Sequence, residues 1–459
     1  MRFNKNYIVF AFLFFVIGLT LYVSLSTKII FHDTPEYFEV TKDLAGYGNV
    51  GVYSTHSFVY TYFISFFVKI FPSILIIKLI NMFWLILDAF LLSIFFNDKR
   101  VFLLFIFSPM VWIVSIQYSP ILPCSFFILL MYTTFMRWES TGNKSYFFVS
   151  ALSGGLTLAL YEPSLIILLF FLVAFFYKKS FCTTLAFSFL MLPTFSLRLI
   201  LDYFLTGFPF YSIVRYFGTN LAAVFGFNPG TKGFFHGFFS IETAYSPFLI
   251  LPLIFLFFKV DFSKNKRLLL FVLLSSLFLF VRGGLVKYFL LIAPFIFVLL
   301  SPLMTKKLLV FNSILSVILI VLFSIPFFGA DPTTLIYDDM RSIYTYYPSE
   351  HYIDGAYVSL YYWGDQYKFY NIYEYLHSVS NRPYYSDYGT VVNNKKVNLY
   401  QILELKAALK PNYGEDIITS PLIMKKNDTP LEGFKLLKCY QYLCVYTKVK
   451  NEVRRCLCS

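Results

Sequence analysis

Charged residues are scarce in this sequence: they make up 14% of 459 residues, against 58% hydrophobic residues and a mean hydropathy of +0.67. A soluble core cannot absorb so much apolar surface, which excludes the set of about three soluble domains that the length alone suggests. Long Phe, Leu and Ile runs recur through the first 328 positions, and Phe alone accounts for 59 residues. This composition predicts a helical protein that crosses the membrane several times.

Several functional signals are also missing. There is no GxxxxGK loop and no strand-bound GxGxxG, which disfavours a cytoplasmic nucleotide-sugar donor. The sequence shows no internal repeat and no pair of broken helices in corresponding halves, which are the features that would indicate a secondary transporter. The net charge of +13 does not indicate nucleic-acid binding, because positions 329 onward hold 15 basic and 14 acidic residues and the excess therefore lies in the apolar part.

Apolar runs and basic turns together predict the topology. About eleven spans are predicted, at 7–27, 74–96, 101–116, 123–137, 146–160, 164–177, 180–204, 246–259, 268–281, 288–304 and 308–328. A cytoplasmic N-terminus puts every dense basic turn on one side and the tail on the other. Residues 57–71 are interpreted as an interfacial helix, because counting them as a span inverts the later turns. Segment 7–27 has a cleaved signal peptide as its alternative.

This topology divides the chain into a transmembrane domain, 1–328, and an extracytoplasmic soluble domain, 329–459. Two large loops, about 28–72 and 206–245, lie on the outer face with the tail. The tail is predicted as a small α/β domain with an amphipathic helix near 399–409 and a hairpin that pairs 434–440 with 443–449. Cys439 and Cys444 flank the hairpin turn, where an oxidising compartment permits a disulfide.

The first outer loop begins with a carboxylate, Asp33, directly after the first predicted span. A carboxylate at the membrane surface can accept a proton from a hydroxyl or bind a metal, at the depth where the phosphate of a membrane lipid lies. The alternative is structural, with Asp33 capping a helix in a box-like arrangement with Glu36. Spacing alone favours the structural role.

The order of short motifs resembles that of the GT-C superfamily of polytopic glycosyltransferases, and the resemblance covers roughly residues 7–305. The motifs are Asp33-x-x-x-Tyr37, Leu44-Ala45-Gly46-Tyr47-Gly48, Lys78-Leu79-Ile80-Asn81 with Asp88, Ser108-Pro109-Met110-Val111-Trp112 with Gln117-Tyr118, Tyr161-Glu162-Pro163, and Lys287-Tyr288 with Pro294. The resemblance implies a mannosyltransferase-like enzyme that takes a sugar from a dolichyl- or polyprenyl-phosphate donor.

The resemblance assigns Asp33 as catalytic base or metal ligand. Many relatives carry an acid in the second outer loop where this chain has Ser119. Three alternatives follow. The enzyme works with Asp33 alone, or Glu36 or another loop acid supplies the second negative charge, or the protein has lost its activity. His32 is a candidate neighbour of Asp33, and Glu162, after the fifth span, is a further outward-facing candidate. Metal dependence stays open, with Mg²⁺ or Mn²⁺ as the candidate cation.

A phosphate leaving group needs cations near the interface. Arg282, Lys287 and Lys78 lie at predicted outer span ends, with Tyr288 beside Lys287; ordinary snorkelling is their alternative role. Two sets of charges lie within spans. Asp88 is expected to bond between helices. Arg198 and Asp202, at i, i+4 spacing, are expected to form a self-satisfied pair facing the bundle.

The sequence therefore predicts a multi-pass GT-C-like glycosyltransferase in the plasma membrane or endoplasmic reticulum membrane. The predicted donor carries mannose or another hexose, transfer is inverting, and the acceptor is a glycan, a glycolipid or a protein. Nucleic acid is not an expected partner. The alternatives are a lipid or oligosaccharide transporter or flippase, which predicts a polar path through the bilayer, and an inactive GT-C-like scaffold.

Overall fold

The computed structural model describes residues 34–47, 56–96, 98–108, 111, 115, 117–177, 179–214, 216–217, 266–281, 286–319, 333–356, 358, 368–371 and 419–449. The predicted spans 7–27 and 246–259 and the predicted helix near 399–409 lie outside these residues. The helices are α1 Thr34–Ala45, α2 Phe58–Ile70, α3 Ile74–Phe96, α4 Lys99–Ile106, α5 Ile121–Thr141, α6 Lys144–Leu160, α7 Ser164–Phe176, α8 Phe181–Thr206, α9 Lys266–Val281, α10 Val286–Phe289, α11 Ala293–Leu300, α12 Lys306–Leu319 and α13 Thr333–Tyr346.

Most predicted spans in the described part correspond to helices. α3 has the predicted bounds, and α5 to α9 begin and end within a few residues of theirs. By length and composition, α3, α5 and α8 are long and apolar enough to cross a membrane. The others are shorter, and the number of crossings therefore remains a prediction.

Two predicted spans are not single helices. In place of 101–116 the structure has α4, which ends at Ile106 and is about 12 Å long. In place of 288–304 it has α10, a turn, α11 and a 3₁₀ turn at Ser301–Leu303. Prolines lie at both interruptions in the sequence: Pro109 comes three positions after the end of α4, Pro294 is the second residue of α11 and Pro302 is the second residue of the 3₁₀ turn. Proline removes a helical hydrogen bond and restricts the residue before it.

The two ends of the bundle carry different chemistry. We call the end that holds Leu160, Ser164 and Thr206 the outer end, after the predicted topology. At the opposite, inner end, Glu139 pairs with Lys179 and Arg267, each at 2.8 Å. These three residues come from three predicted cytoplasmic turns, so the structure brings those turns together as the basic-residue pattern requires.

α2 is the helix that the sequence predicts as interfacial. At 13 residues it is about 20 Å long, too short to cross a hydrocarbon layer of about 30 Å. Ser57 caps it by accepting from the Val59 N–H. One face is buried, with Ile64 and Val68 at 0% exposure, and the other face exposes aromatic rings such as Phe66 at 55%. Its depth in the membrane stays a prediction.

One buried intramembrane carboxylate faces a neighbouring helix. Asp88 in α3 is 0% exposed, and its polar neighbour is Ser125 of α5. The Ser125 hydroxyl also lies 3.4 Å from the Leu290 carbonyl oxygen. The expected bond between helices stays a prediction.

The tail forms a five-stranded sheet of order β2-β1-β3-β5-β4, with β1 His351–Asp354, β2 Lys368–Asn371, β3 Leu422–Lys425, β4 Phe434–Cys439 and β5 Leu443–Lys448. β2, β1 and β3 are parallel, and β3, β5 and β4 are antiparallel. The predicted hairpin is confirmed, and the Cys439–Cys444 disulfide closes it. Asp339 of α13 holds its turn by accepting from the Tyr442 and Leu443 N–H groups.

The sheet shares one hydrophobic core with the helices, since Tyr352 of β1 and Val445 of β5 belong to the same buried cluster as Tyr37 of α1 and Ile64 of α2. The domain boundary near residue 329 stays a prediction.

The contact between the sheet and α1 includes a buried charge. Lys42 of α1 is 5% exposed and lies near the carboxyls of Asp354 and Glu39. Burial lowers the pKa of Lys42 from 10.5 to about 8, although both carboxyls raise it.

The depressed pKa of Lys42 predicts a stability that rises with pH. Between pH 8 and 10.5 the unfolded chain holds a proton on Lys42 that the folded chain has lost, so the free energy of unfolding increases with pH in this window. The gain is at most about 3 kcal/mol. Thermal unfolding in nanodiscs at pH 7.5 and 9.5 should show this increase in stability for the wild type. The increase should be absent in Lys42→Met. The exposed Lys69→Met is the control, and equal pH slopes in all three proteins would contradict the prediction.

Candidate active site

The candidate site is centred on Glu162, in the three-residue turn between α6 and α7 at the outer end. α6 ends because Tyr161 adopts extended backbone (φ −152°, ψ 123°), and Pro163 precedes the first residue of α7. The Ser164 hydroxyl donates to the carbonyls of Thr157 and Tyr161, which fixes the turn. The turn directs the Glu162 side chain into the protein, where it is 3% exposed. Glu162 lies at the end that the predicted topology makes the outer end, and its side chain is buried there; its role as a site residue stays a prediction.

Three groups meet the Glu162 carboxylate. Its Oε1 accepts from the Arg198 guanidinium at 2.6 Å and from the Ser57 N–H at 2.9 Å. Its Oε2 lies 3.4 Å from His56 Nδ1. Burial opposes ionisation, but the Arg198 charge and the His56 ring outweigh it and hold the pKa of Glu162 below its usual value. Glu162 is thus a carboxylate at neutral pH in a nearly dry site.

Arg198 and Asp202 do not form the direct pair that their spacing predicts. Arg198 Nε donates to Ser212 Oγ at 2.9 Å, and the Ser212 N–H and hydroxyl both contact the Asp202 carboxylate, at 2.9 Å and 2.7 Å. The ion pair recorded for Arg198 is with Glu162, 36 residues away in sequence. The network is therefore completed by Ser212, which follows α8, and by Glu162, which precedes α7.

Two aromatic rings contact His56. The Tyr37 ring of α1 stacks on it with centroids 5.0 Å apart, and the Tyr216 ring lies 5.8 Å away. Its side chain is 12% exposed. The position directly before the Ser57 cap of α2 gives no hint of this role. Sequence analysis consequently missed His56.

An apolar cleft of about 50 Å³ opens beside the network. Its walls are Leu165 and Ile166 of α7, Phe278 and Leu279 of α9, and Phe217, and its polar lining comes from Glu162, Tyr216 and Tyr288. The Tyr288 ring also stacks on Tyr161, with centroids 6.2 Å apart. The cleft joins an apolar surface to a buried cluster of charges.

The predicted site residues are partly brought together. Glu162 and Tyr288 line one cleft. Lys78 is 4% exposed on α3 and does not line that cleft. Lys287 lies in α10 directly before Tyr288, and Glu36 lies in the first turn of α1, but their side chains are outside the described part of the structure, as are His32, Asp33 and Arg282 entirely.

The segment around Ser119, where relatives carry an acid, is fixed by Asn81 of α3. The Asn81 amide donates to the carbonyls of Ser115 and Gln117 and accepts from the Tyr60 hydroxyl. The Tyr118 hydroxyl hydrogen-bonds Thr41 of α1. Ser119 is 8% exposed, and its hydroxyl has no partner among the described residues. These motif residues position a backbone and do not supply a second acid.

Metal binding at the described acids is not favoured. Within the described ranges, no three His, Cys, Asp or Glu side chains are grouped as metal ligands. Glu162 does not fit this role, because Arg198, Ser57 and His56 already occupy its oxygens. Asp33, the predicted ligand, lies outside the described residues.

The whole chain resembles two solved structures of another protein. It matches the crystal structure of ArnT from Cupriavidus metallidurans bound to undecaprenyl phosphate with a TM-score of 0.60 and 9% identity, covering 98% of this chain and 99% of that one. The chain has the GT-C fold. The apo state of the same ArnT matches with a TM-score of 0.57 and 10% identity, over 97% and 99% of the two chains. Neither a protein-family model nor a curated protein sequence matches the chain.

This GT-C fold agrees with the resemblance that the motifs indicate and with a helical membrane protein. At 9–10% identity the likeness concerns the fold alone. The mannosyltransferase-like assignment, the sugar and the orientation in the membrane are finer than this likeness and remain proposals.

Proposed function

We propose that the protein is a membrane glycosyltransferase that transfers a sugar from a polyprenyl-phosphate donor to an acceptor on the extracytoplasmic face. The observation that carries the proposal is the apolar cleft ending in the Glu162 cluster, in a chain with the fold of a protein crystallised with undecaprenyl phosphate. A lipid-linked phosphate has the same two parts, a hydrocarbon chain and a charged head. The polyprenyl chain is proposed to enter between α7 and α9, with its phosphate near the hydroxyls of Tyr216 and Tyr288.

The proposed phosphate ligands come from the segment that includes Tyr288. Lys287 precedes Tyr288 in α10, and Arg282 lies five positions before Lys287 in the sequence. Paired cations in a short outer turn suit a phosphate head, because charge-assisted hydrogen bonds are the strong ones. Lys78, nearly buried on α3, is a proposed contributor from a second direction.

The proposed reaction is an inverting displacement. The acceptor hydroxyl oxygen attacks the anomeric carbon, the bond from that carbon to the phosphate oxygen breaks, and polyprenyl phosphate leaves. Asp33 takes the hydroxyl proton, with Glu36 as a second proposed acid. α1 begins at Thr34, directly after Asp33, and is anchored at Thr41 by Tyr118 and at Lys42 near Asp354. An anchored helix suits a base that needs a fixed position.

Transfer should depend on Asp33. Membranes containing the protein are given a panel of radiolabelled polyprenyl-phosphate sugars, with mannose and other hexoses first. We expect transfer by the wild type and a loss of about 10²–10⁴-fold in Asp33→Asn, the usual contribution of a general base. Asp43→Asn, on the same helix, is the matched control and should keep its activity.

The outcomes separate the alternatives. Equal turnover by Asp33→Asn and wild type would remove Asp33 as the base. Absence of transfer from every donor, with folded protein present, would favour the transporter or inactive-scaffold alternatives. The labelled product identifies the acceptor as a glycan, a glycolipid or a protein.

A further inference from the structure

We propose that His56, oriented by Glu162, binds the phosphate of the lipid donor as an imidazolium cation. This inference rests on the proposed function and adds to it a ligand-binding residue for which no sequence motif gives a role. The carrying observation is the contact between the imidazole and a fully buried carboxylate at the end of the apolar cleft.

The charges of the cluster favour a protonated ring. Glu162, at 7% exposure, is ion-paired with the Arg198 guanidinium, at 2%, and Asp202, at 0%, shares this guanidinium through Ser212. When both carboxyls are ionised, they outnumber the single guanidinium that the described residues place there, and a protonated His56 offsets the difference. Among the described residues, the rings of Tyr37 and Tyr216 also lie against the imidazole.

The ring is also fixed in orientation and adjacent to the cleft. The Tyr37 ring stacks on it, the Tyr216 ring lies tilted beside it, and Glu162 contacts its Nδ1. Glu162 and Tyr216 themselves line the cleft, so the imidazole lies immediately beside the proposed phosphate position. A carboxylate that holds one ring nitrogen sets both the orientation and the basicity of an imidazole.

The proposed reaction explains why a cation is needed here. When the bond between the anomeric carbon and oxygen breaks, the electron pair stays on the phosphate oxygen, and the lipid phosphate gains a negative charge. The acceptor proton goes to Asp33, so nothing at the base neutralises the leaving group. The imidazolium donates a hydrogen bond to that oxygen and stabilises the charge as it develops. Glu162 is a positioning residue in this scheme, since it acts through His56.

Equilibrium binding of undecaprenyl phosphate to the full-length protein in nanodiscs, between pH 6 and 8.5, tests the proposal. We expect His56→Gln to weaken binding about tenfold at pH 6.5, as loss of one charge-assisted hydrogen bond predicts, and the gap from wild type to close as pH rises and the ring deprotonates. The affinity of Glu162→Gln should fall to that of His56→Gln at a lower pH than the affinity of the wild type does, because the ring has lost its carboxylate. Binding of inorganic phosphate at the same concentration is measured as a separate arm. Its affinity should lack the contribution of the apolar cleft, because phosphate carries no hydrocarbon chain.

His351→Gln is the matched control, since His351 lies in the sheet against Tyr370 and should leave binding unchanged. Equal affinity of wild type and His56→Gln at every pH would overturn the proposal. If His56→Gln does not fold, the pH profile of Glu162→Gln decides, and an unshifted profile overturns the proposal. Failure of the wild type to bind the lipid at any pH would contradict the proposed function itself, whereas binding that is insensitive to His56 contradicts this inference alone.

Discussion

Replacing Arg198 with methionine should destabilise the protein by about 3–5 kcal/mol, the usual cost of removing one partner of a buried ion pair. Arg198 is 2% exposed and bonds both Glu162 and Ser212. Its removal leaves Glu162 with the Ser57 N–H and His56 and leaves Asp202 with Ser212, without the guanidinium charge that both share. Methionine keeps much of the volume, so the loss reports charge and hydrogen bonding more than packing. Thermal unfolding of purified protein in nanodiscs measures it.

The control for Arg198 is another arginine in an ion pair at the other end of the bundle. Arg100 pairs with Asp98 at 2.9 Å, but its side chain is 40% exposed, so Arg100→Met should cost no more than about 1 kcal/mol. Adding Glu162→Gln to Arg198→Met should recover part of the loss, because the orphaned charge is removed. Equal losses from the two arginine variants, or no recovery in the double variant, would show that the cluster does not stabilise the fold as argued.

The Arg198 network shows which part of the site a sequence can predict. The i, i+4 spacing correctly places Arg198 and Asp202 on one helix face, because helix geometry is local. The ion pair with Glu162 and the bridge through Ser212 depend on the packing of α6, α7 and α8, which no local spacing encodes. His56 was missed for the same reason, since its neighbours Tyr37, Glu162 and Tyr216 are distant in sequence.

The fold was predictable where composition alone decides the structure. α3 matches its predicted bounds because a 23-residue apolar run in a membrane protein must satisfy its backbone internally. The predicted cytoplasmic turns meet around Glu139 because basic residues mark one face of the membrane. The run 288–304 was overextended, since hydropathy does not register the missing hydrogen bond at Pro294 or Pro302.

Gly155→Ala should also have a large effect, of about 3 kcal/mol or more, because the helices α6 and α8 meet at this glycine. A Cβ at Gly155 would lie 2.1 Å from the Met191 carbonyl oxygen and 2.2 Å from Thr194 Oγ1. A carbonyl cannot move without its helix, so α6 and α8 must separate and the bond from Thr194 Oγ1 to the Leu152 carbonyl is lost. Arg198 lies one turn beyond Thr194, so the Arg198–Glu162 pair should loosen and undecaprenyl phosphate binding should weaken with it.

The neighbouring glycine is the matched control. A Cβ at Gly154 would lie 3.1 Å from Met131 Sδ and 3.2 Å from Met191 Cε, the far ends of flexible side chains. Those methionines can shift, and the better helix propensity of alanine, worth about 1 kcal/mol, offsets the crowding. Gly154→Ala should therefore keep the stability and lipid binding of the wild type. A Gly155→Ala protein that unfolds at the same temperature as Gly154→Ala would mean that α6 and α8 do not pack at this distance, and that the Arg198–Glu162 geometry built on that contact is wrong.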